Sequence, residues 1–395
     1  MLDRPLLRRA LVAATSLMLA PLALLPVMET AHAGGSRLGN ISAATYQTNG
    51  RVSAIIVVRN TIYIGGDFTA VRPSGAAPGT REVPRAHLAA FRADNGRLRA
   101  WNPGANGSVS ALATSADRKV IYVGGKFSRL AGARRHNAGA VKAATGAITR
   151  FHANTNGEVL ALYRTRSRLY LGGSFTSVRH THRKRIAALT LGGRLIRTWH
   201  PGANNSVRTI QVSRDRTKVF LGGEFNIVNG RSEPHLAKLS STGKLLPWRR
   251  HPGFPVWQIV LTKKRVFAGG NGPGGRVAAY TTGGRKAWSI QTDGGVQTIA
   301  LSDGALLAGG HFRNVCVGNI GGPQIGFDCL QVLAPRAHLL ALSPKTGALR
   351  PWKPHANSGL GVFSLATSAS TVYAGGVFTE INEAPQQAFV GFPRS

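Results

Sequence analysis

The chain has 395 residues, of which 43% are hydrophobic, and this apolar fraction excludes an intrinsically disordered chain. Lys and Arg total 50 against 15 Asp and Glu, a formal net charge of +35 that excludes a surface suited to cationic partners. A charge of this sign and size predicts attraction to polyanions.

The first 33 residues have the pattern of an export signal. A positive region precedes an apolar run over residues 10–28, and Ala31-His32-Ala33 matches the small-x-small site of a signal peptidase. The positive region holds Arg4, Arg8 and Arg9. We expect residues 1–33 to be removed, so that a secreted or cell-surface chain begins at Gly34; two prolines in the run disfavour the alternative, a membrane anchor. The Sec and twin-arginine routes both stay open, and no later stretch is long and apolar enough to span a membrane.

A six-residue phrase repeats along the rest of the chain. Its first copy is Tyr63-Ile64-Gly65-Gly66-Asp67-Phe68, and the other copies share two apolar residues, Gly-Gly, a variable residue and usually Phe. The first glycines of the seven copies are Gly65, Gly124, Gly172, Gly222, Gly269, Gly309 and Gly375. A period of roughly fifty residues indicates an array of supersecondary units, none of which can bury its apolar faces alone.

One complete unit can be followed between residues 51 and 103. Four short apolar runs, 52–58, 62–68, 87–92 and 98–101, are separated by turn residues, which predicts an antiparallel meander. A large aromatic residue ends the fourth run in six units: Trp101, Phe151, Trp199, Trp248, Trp288 and Trp352. We expect bulky side chains of one sheet to pack over the bare Gly-Gly backbone nearby; a ligand-binding role for the glycines is the alternative.

The two cysteines of the chain, Cys316 and Cys329, lie in one insertion, 313–336. An oxidising compartment would join them, so we expect a disulfide, with two free thiols as the alternative.

The two chain ends hold complementary parts of one unit. The last unit stops after its third run, 388–392, whereas the segment 38–47 precedes the first unit in the position of a fourth strand. Pairing of these segments would remove exposed strand edges. The sequence therefore predicts an all-β fold: a seven-bladed β-propeller of four-stranded antiparallel blades, closed by the N-terminal strand, with residues 34–395 as a single domain.

The repeated phrase, with its Thr-Gly turn and fourth-run Trp, resembles the bacterial delta-sixty-type β-propeller repeats of exported proteins. It is also similar to repeats of the fungal cortical polarity marker. Kelch repeats are more distant, because their paired Tyr/Trp spacing is absent here. The segment 341–347 with Trp352 is similar to the tryptophan-docking repeat of quinoprotein dehydrogenases, although Trp352 sits one residue late and the usual Asp is missing. These resemblances imply the propeller fold over nearly the whole mature chain and no specific activity.

In a propeller of this kind, second-to-third and fourth-to-first connections share one face, here called the top face, and the tight turns share the bottom face. The variable top loops are the expected binding site. Their basic candidates are Arg81, Arg85, Arg134, Arg135, His136, Arg179, His180, His182, Arg183, Lys184, Arg185, Arg231 and His235. The dense run 179–185 indicates a polyanion patch. The bottom turns are basic too, so a diffuse cationic surface is the alternative.

A polar rim is predicted from the variable residue after each Gly-Gly. Its polar candidates are Asp67, Lys126, Glu224 and His311. Asp67 and Glu224 could form a catalytic acid pair; alternatively, each neutralises an arginine.

No catalytic motif, metal-binding motif or phosphate loop is found in the sequence, and we predict no cofactor or metal. Histidines that recur in the linkers, His152, His200, His251 and His355, favour turn chemistry over a converging metal site. We expect a non-catalytic binding or scaffold module whose partner is an anionic cell-wall polymer or a protein. Nucleic acid is disfavoured because no aromatic residues interleave the basic run. The rival hypothesis is an oxidoreductase, or a carbohydrate lyase or hydrolase, with its site at the centre of the top face.

Overall fold

A computed structural model describes residues 38–248, 251–320 and 328–394. All of these residues belong to one compact unit. They contain no helix, and hence none with the length and hydropathy needed to cross a bilayer. The predicted export signal, residues 1–33, lies outside the described residues.

Strands follow one another through the whole described chain. The first are β1 (Gln47–Thr48), β2 (Val52–Val58), β3 (Thr61–Gly66), β4 (Ala70–Arg72), β5 (Val83–Pro84), β6 (Leu88–Arg92), β7 (Val109–Thr114), β8 (Val120–Gly125), β9 (Arg129–Leu130), β10 (Ala133–Arg134), β11 (Ala138–Lys142) and β12 (Ile148–His152). Next come β13 (Val159–Arg164), β14 (Arg168–Gly173), β15 (Ser177–Val178), β16 (Thr181–His182), β17 (Ile186–Thr190), β18 (Val207–Val212), β19 (Lys218–Gly223), β20 (Ile227–Val228), β21 (Arg231–Ser232), β22 (Leu236–Ser240), β23 (Leu245–Leu246) and β24 (Val256–Leu261). The last are β25 (Arg265–Gly272), β26 (Gly274–Thr281), β27 (Lys286–Thr292), β28 (Val296–Ser302), β29 (Ala305–Gly310), β30 (Asn314–Ile320), β31 (Asp328–Pro335), β32 (Leu339–Leu342), β33 (Val362–Thr367), β34 (Thr371–Gly376), β35 (Glu380–Ile381), β36 (Ala384–Pro385) and β37 (Phe389–Pro393).

Each Gly-Gly phrase lies in the second strand of an antiparallel sheet. We number these sheets in chain order: sheet 1 (β2-β3-β6), sheet 2 (β7-β8-β11-β12), sheet 3 (β13-β14-β17), sheet 4 (β18-β19-β22-β23), sheet 5 (β24-β25-β26-β27-β30-β31), sheet 6 (β28-β29-β32) and sheet 7 (β33-β34-β37). The first strands of consecutive sheets contact one another, and β33 of sheet 7 contacts β2 of sheet 1. The buried residues are mostly the apolar residues of the first three strands of each sheet.

The outermost strand varies among the sheets. In sheets 1, 3 and 6 it is reduced to one bridged pair: Phe91 with Leu98, Leu189 with Leu195, and Leu342 with Leu349. In sheet 7 the segment beside β37 comes from the other end of the chain, because Ala43 pairs with Gly391 and Leu38 with Arg394. The Ala43 N–H donates to the Gly391 carbonyl at 2.7 Å.

The double glycine is explained by two close approaches. A Cβ on the first glycine would meet the leading valine of the next sheet, as for Gly172, where Val207 Cγ1 would be 2.8 Å away. A Cβ on the second glycine would clash with a carbonyl of its own sheet, as at Gly66 with the carbonyl oxygen of Arg51. Only glycine allows both contacts, which is why it stands inside a strand.

The fourth-run aromatic packs in a different place from the one predicted. Trp199 packs edge-on against Tyr170 of its own sheet, with ring centroids 5.0 Å apart. It also lies over a turn glycine of the next sheet, since a Cβ on Gly243 would be 3.4 Å from Trp199 Cδ1. Valines, and not these aromatics, therefore cover the Gly-Gly backbone.

The insertion 313–336 contains the hairpin β30–β31. This hairpin extends sheet 5 to six strands through the pairs Gln291–Cys316 and Thr292–Val315. The disulfide predicted between Cys316 and Cys329 is confirmed and joins the two strands of the hairpin.

Candidate functional site: the rim and the hairpins

A β-bulge opens the first strand of every sheet and sets the geometry of the rim. In sheet 1 the register shifts between Val52 and Ala54, so that Ser53 is the extra residue. A bulge re-aims a side chain out of the regular alternation. The bulged residues are Ser53, Ser110, Leu160, Arg208, Trp257, Gln297 and Phe363. We define the rim as these residues, the residue after each Gly-Gly and the residue before each first strand.

Backbone hydrogen bonds fix the two edges of the rim to each other. The N–H of the residue after Gly-Gly donates to the carbonyl of the residue before the first strand. In sheet 1 Asp67 donates to Arg51 at 2.9 Å, and in sheet 4 Glu224 donates to Ser206 at 3.0 Å. The predicted rim residues therefore lie beside the bulges of their own sheets.

Both predicted rim acids have an arginine partner. Asp67 forms an ion pair with Arg51. The guanidinium of Arg208 donates to Glu224 Oε1 at 2.7 Å. All four side chains are half-buried. Each carboxylate is thus held by a cation, which favours neutralisation over a catalytic acid pair.

The same two arginines lie over aromatic rings of the preceding and following sheets. The Arg51 guanidinium is 5.1 Å from the centroid of the Phe363 ring, and that of Arg208 is 4.5 Å from the Trp257 ring. Cation–π contacts of this kind hold an arginine in one place. Each of these arginines is therefore held both by its carboxylate partner and by an aromatic ring of a neighbouring sheet.

The other predicted rim residues, Lys126 and His311, differ in exposure. Lys126 is exposed. His311 is half-buried, its Nε2 accepts from the Gly295 N–H at 3.0 Å, and burial lowers its pKa. Elsewhere on the rim, the Ser110 hydroxyl of sheet 2 donates to Glu158 Oε1, just before sheet 3, at 2.6 Å. The rim histidine is therefore a neutral acceptor, not a cation.

Short hairpins occupy most of the second-to-third connections and run away from the rim. In sheets 2, 3, 4 and 7 they are β9–β10, β15–β16, β20–β21 and β35–β36. The tips of two hairpins bond to a third-to-fourth turn, which lies at the opposite end of the strands. Arg179 donates to the Gly193 carbonyl at 3.1 Å, and Asn229 donates to that of Gly243 at 3.0 Å. These hairpins therefore lie along the outer edges of the sheets and do not converge on the centre.

Three predicted ligand-binding arginines serve the outer edge instead. The Nη2 groups of Arg85, Arg135 and Arg183 donate to outer-strand carbonyls at 3.1, 2.8 and 3.2 Å, respectively. Their acceptors are Arg99, Thr149 and Arg197. Arg85 and Arg183 are each 8% exposed, and burial lowers the pKa of both. These side chains cap edge carbonyls that an unpaired strand would leave free.

The remaining basic candidates are spread over sheets 1 to 4. The exposed ones are Arg81, Arg134, Arg179, His180, His182, Lys184 and Arg231. The half-buried ones are His136, Arg185 and His235. Arg185 donates to the Ser174 carbonyl, and burial lowers the pKa of His235. The structure thus gives a cationic band along the outer edges, with no single focus.

Sequence reasoning missed the residues that organise the rim: Arg51, Glu158, Arg208, Trp257 and Phe363. Each of them lies directly before or after the first valine of a unit. Aligning the seven units shows that the residues at these positions vary, and this variation was the available signal. The linker histidines remain apart, and His251 pairs with Glu233 at 3.6 Å. Among the described residues, no group of three or more His, Cys, Asp or Glu is placed to hold a metal ion.

Comparison with known proteins gives the fold. No protein-family model and no curated protein sequence matches the chain. Among solved structures, the WD40 β-propeller domain of Doa1 is similar with a TM-score of 0.61 at 11% identity, over 91% of this chain and 97% of that one. The WD40 repeats of RRP9 are similar with a TM-score of 0.59 at 14% identity, over 91% and 99%. The structure of U3-55K is similar with a TM-score of 0.57 at 14% identity, over 89% of this chain and 99% of that one. The chain therefore has an all-β fold similar to WD40 β-propellers, and at these identities the likeness extends to fold alone.

Proposed function

We propose that this chain is an exported, non-catalytic β-propeller that binds an anionic polymer of the cell envelope through its cationic hairpins. In this proposal it has seven blades, closed by the N-terminal segment, and belongs with the delta-sixty-type repeats that its sequence resembles.

Packing between the first and last sheets supports the closed ring. β33 contacts β2 as each first strand contacts the next. The bridges from Ala43 to Gly391 and from Leu38 to Arg394 add a fourth segment to sheet 7. A closed ring has no free strand edges at which another chain could pair.

Export is supported by two independent features. The sequence of residues 1–33 has the three regions of a signal peptide. The disulfide between Cys316 and Cys329 is a bond that persists in oxidising compartments.

The observation that carries the binding proposal is the set of exposed cations, in and beside the hairpins, that form no ion pair. Among the described residues, no ion pair involves Arg134, Lys184 or Arg231. Exposed cations on a band of this kind raise the local potential and attract polyanions. By contrast, the two predicted rim acids, Asp67 and Glu224, form ion pairs with Arg51 and Arg208. A protein partner is the second candidate; it would bind with weaker dependence on salt.

Retention on purified polymers tests this proposal. The mature chain, residues 34–395, is passed over a polyol-phosphate wall polymer, a polyuronate and a neutral glucan at several salt concentrations. We expect retention on the two anionic polymers alone, with affinity that falls as salt rises. Equal retention on the neutral glucan, or retention unaffected by salt, contradicts an electrostatic site.

A matched pair of variants locates the surface. Arg134→Gln, Lys184→Gln and Arg231→Gln together remove two exposed hairpin charges and the exposed charge of Lys184 beside the hairpin β15–β16. Lys263→Gln, Lys264→Gln and Arg285→Gln remove three exposed charges from bottom-face turns. We expect the hairpin variant to lose more affinity than its control; equal losses would support the diffuse cationic surface instead.

A further inference from the structure

A cavity of about 270 Å³ is lined by residues of bottom-face turns and by none of the hairpin or rim residues. It lies between the first-to-second turns of sheets 3 and 4, beside that of sheet 2. The residues that give it its chemistry are Tyr163, Arg164, Arg166, Val212, Arg214 and Arg216. Four arginine residues thus line one small space.

One of these arginines is fixed by the protein. The Nε of Arg164 donates to the Thr114 carbonyl at 3.0 Å, and its Nη1 donates to the Thr165 carbonyl at 3.3 Å. These bonds leave its Nη2 without a protein acceptor among the described residues. The wall behind it is fixed as well, because the Tyr163 hydroxyl donates to the Val212 carbonyl at 3.3 Å.

The other three arginines have no internal acceptor. Among the described residues, the side chains of Arg166, Arg214 and Arg216 make no hydrogen bond and no ion pair, and all three are exposed. Charge-assisted bonds from a guanidinium are among the strongest a protein offers to an oxyanion. The cavity is therefore rich in donors that await an acceptor.

The nearest carboxylates are directed into their own turns. Asp215 accepts from the Ser213 hydroxyl at 2.5 Å and the Thr217 N–H at 3.1 Å, and lies 3.8 Å from the Lys218 ammonium. Asp117 accepts from the Ser115 hydroxyl and the Lys119 N–H. Neither aspartate lines the cavity. The four cations consequently repel one another, and a bound anion would relieve that repulsion.

We propose that this cavity binds a phosphate group attached to a small polar carrier. Guanidinium forks that approach from two sheets can each take two oxygens of a tetrahedral anion, whereas a planar carboxylate offers only two oxygens in all. The volume exceeds that of a bare ion and lies just below the range of pockets for drug-sized ligands. A sugar phosphate or polyol phosphate fits these limits. The site is separate from the hairpin surface and does not depend on polymer binding there.

Calorimetric titration and thermal unfolding test the site with inorganic phosphate, glycerol 3-phosphate and galacturonate at matched ionic strength, with chloride as reference. We expect glycerol 3-phosphate to bind and to raise the unfolding temperature, because a ligand that binds only the folded chain stabilises it. Arg166→Gln with Arg214→Gln should weaken binding at least about tenfold. Arg285→Gln, an exposed arginine of another bottom-face turn, should leave it unchanged.

Several outcomes would overturn the site. They are the absence of binding by the wild-type chain beyond chloride, equal weakening by Arg285→Gln, and tighter binding of galacturonate than of glycerol 3-phosphate. Binding of inorganic phosphate equal to that of glycerol 3-phosphate would contradict the role of the carrier. Polymer retention with no phosphate binding would leave the proposed function standing and remove this site alone.

Discussion

Gly375 in sheet 7 faces Val52 in sheet 1 so closely that a Cβ on the glycine would lie 2.6 Å from Val52 Cγ1. Gly222 faces Val256 of the next sheet at the same 2.6 Å. The last sheet thus meets the first as any sheet meets its successor. In the proposed ring, this contact is where closure is made.

The first prediction concerns this contact. Gly375→Ala should destabilise the fold by about 1–3 kcal/mol, since the added methyl overpacks a buried contact. Gly359→Ala is the control, because a Cβ there meets nothing within 4 Å. Urea unfolding measures the difference. If Gly375→Ala is as stable as the control, sheets 1 and 7 are not packed in this way.

The second prediction concerns the arginines that cap the outer edges. Arg183→Met should cost about 1–3 kcal/mol, because the carbonyls of His182 and Arg197 lose a charged donor. Arg231→Met, at an exposed hairpin position, should change stability by less than about 0.5 kcal/mol. Denaturant midpoints of both variants test this. Equal midpoints for the two variants would show that Arg183 does not stabilise the fold, and would leave it as a candidate for ligand binding.

The repeat pattern was sufficient to predict the class of fold. The Gly-Gly phrase and turn residues indicated antiparallel strands, and the strands of sheet 1, 52–58, 61–66 and 88–92, lie close to the predicted runs. The disulfide followed from there being only two cysteines. These features depend on local spacing, which a sequence displays directly.

The site was harder to predict because hydrogen-bond partners are not visible in a sequence. Arg85, Arg135 and Arg183 were grouped with ligand-binding cations on charge alone. Each stands three residues before its third strand, at 88, 138 and 186. A charge that recurs at one position of a repeat indicates a structural role, and this regularity was the available signal.

The third prediction is a loss of stability on acidification through His338. This side chain is buried, its Nδ1–H donates to the Gly310 carbonyl at 3.1 Å, and burial lowers its pKa to about 4. Between about pH 6.5 and 4 the unfolded chain binds a proton that the folded chain excludes. The free energy of unfolding therefore decreases as the pH is lowered through this window. The lowered pKa values of His311 and His235 act in the same direction.

His338→Asn tests this assignment. The residue has φ 71°, and Asn137 occupies the same position of sheet 2 with φ 62°, so asparagine is tolerated there. We expect the variant to lose a large part of the pH dependence of unfolding between pH 6.5 and 4. His180→Asn, an exposed residue with φ 61°, is the matched control and should keep the wild-type slope. Parallel slopes for wild type and His338→Asn would exclude His338 as the main proton-linked group.

The last prediction is that the hairpin β30–β31 opens independently of the rest of sheet 5. Among the described residues, two strand pairs, Gln291–Cys316 and Thr292–Val315, join it to β27. The double variant Cys316→Ser with Cys329→Ser should therefore exchange its amide hydrogens faster in 314–320 and 328–335. The free energy of opening there should fall by up to about 3 kcal/mol, the contribution of a disulfide that closes a loop of this length. Exchange in β25 and β26 should not change, because eight residue pairs join these strands and their buried residues pack against sheet 6. A reductant should reproduce the effect in the wild-type chain and have none on the variant. Faster exchange throughout sheet 5 would show that the disulfide supports the whole sheet, not the hairpin alone.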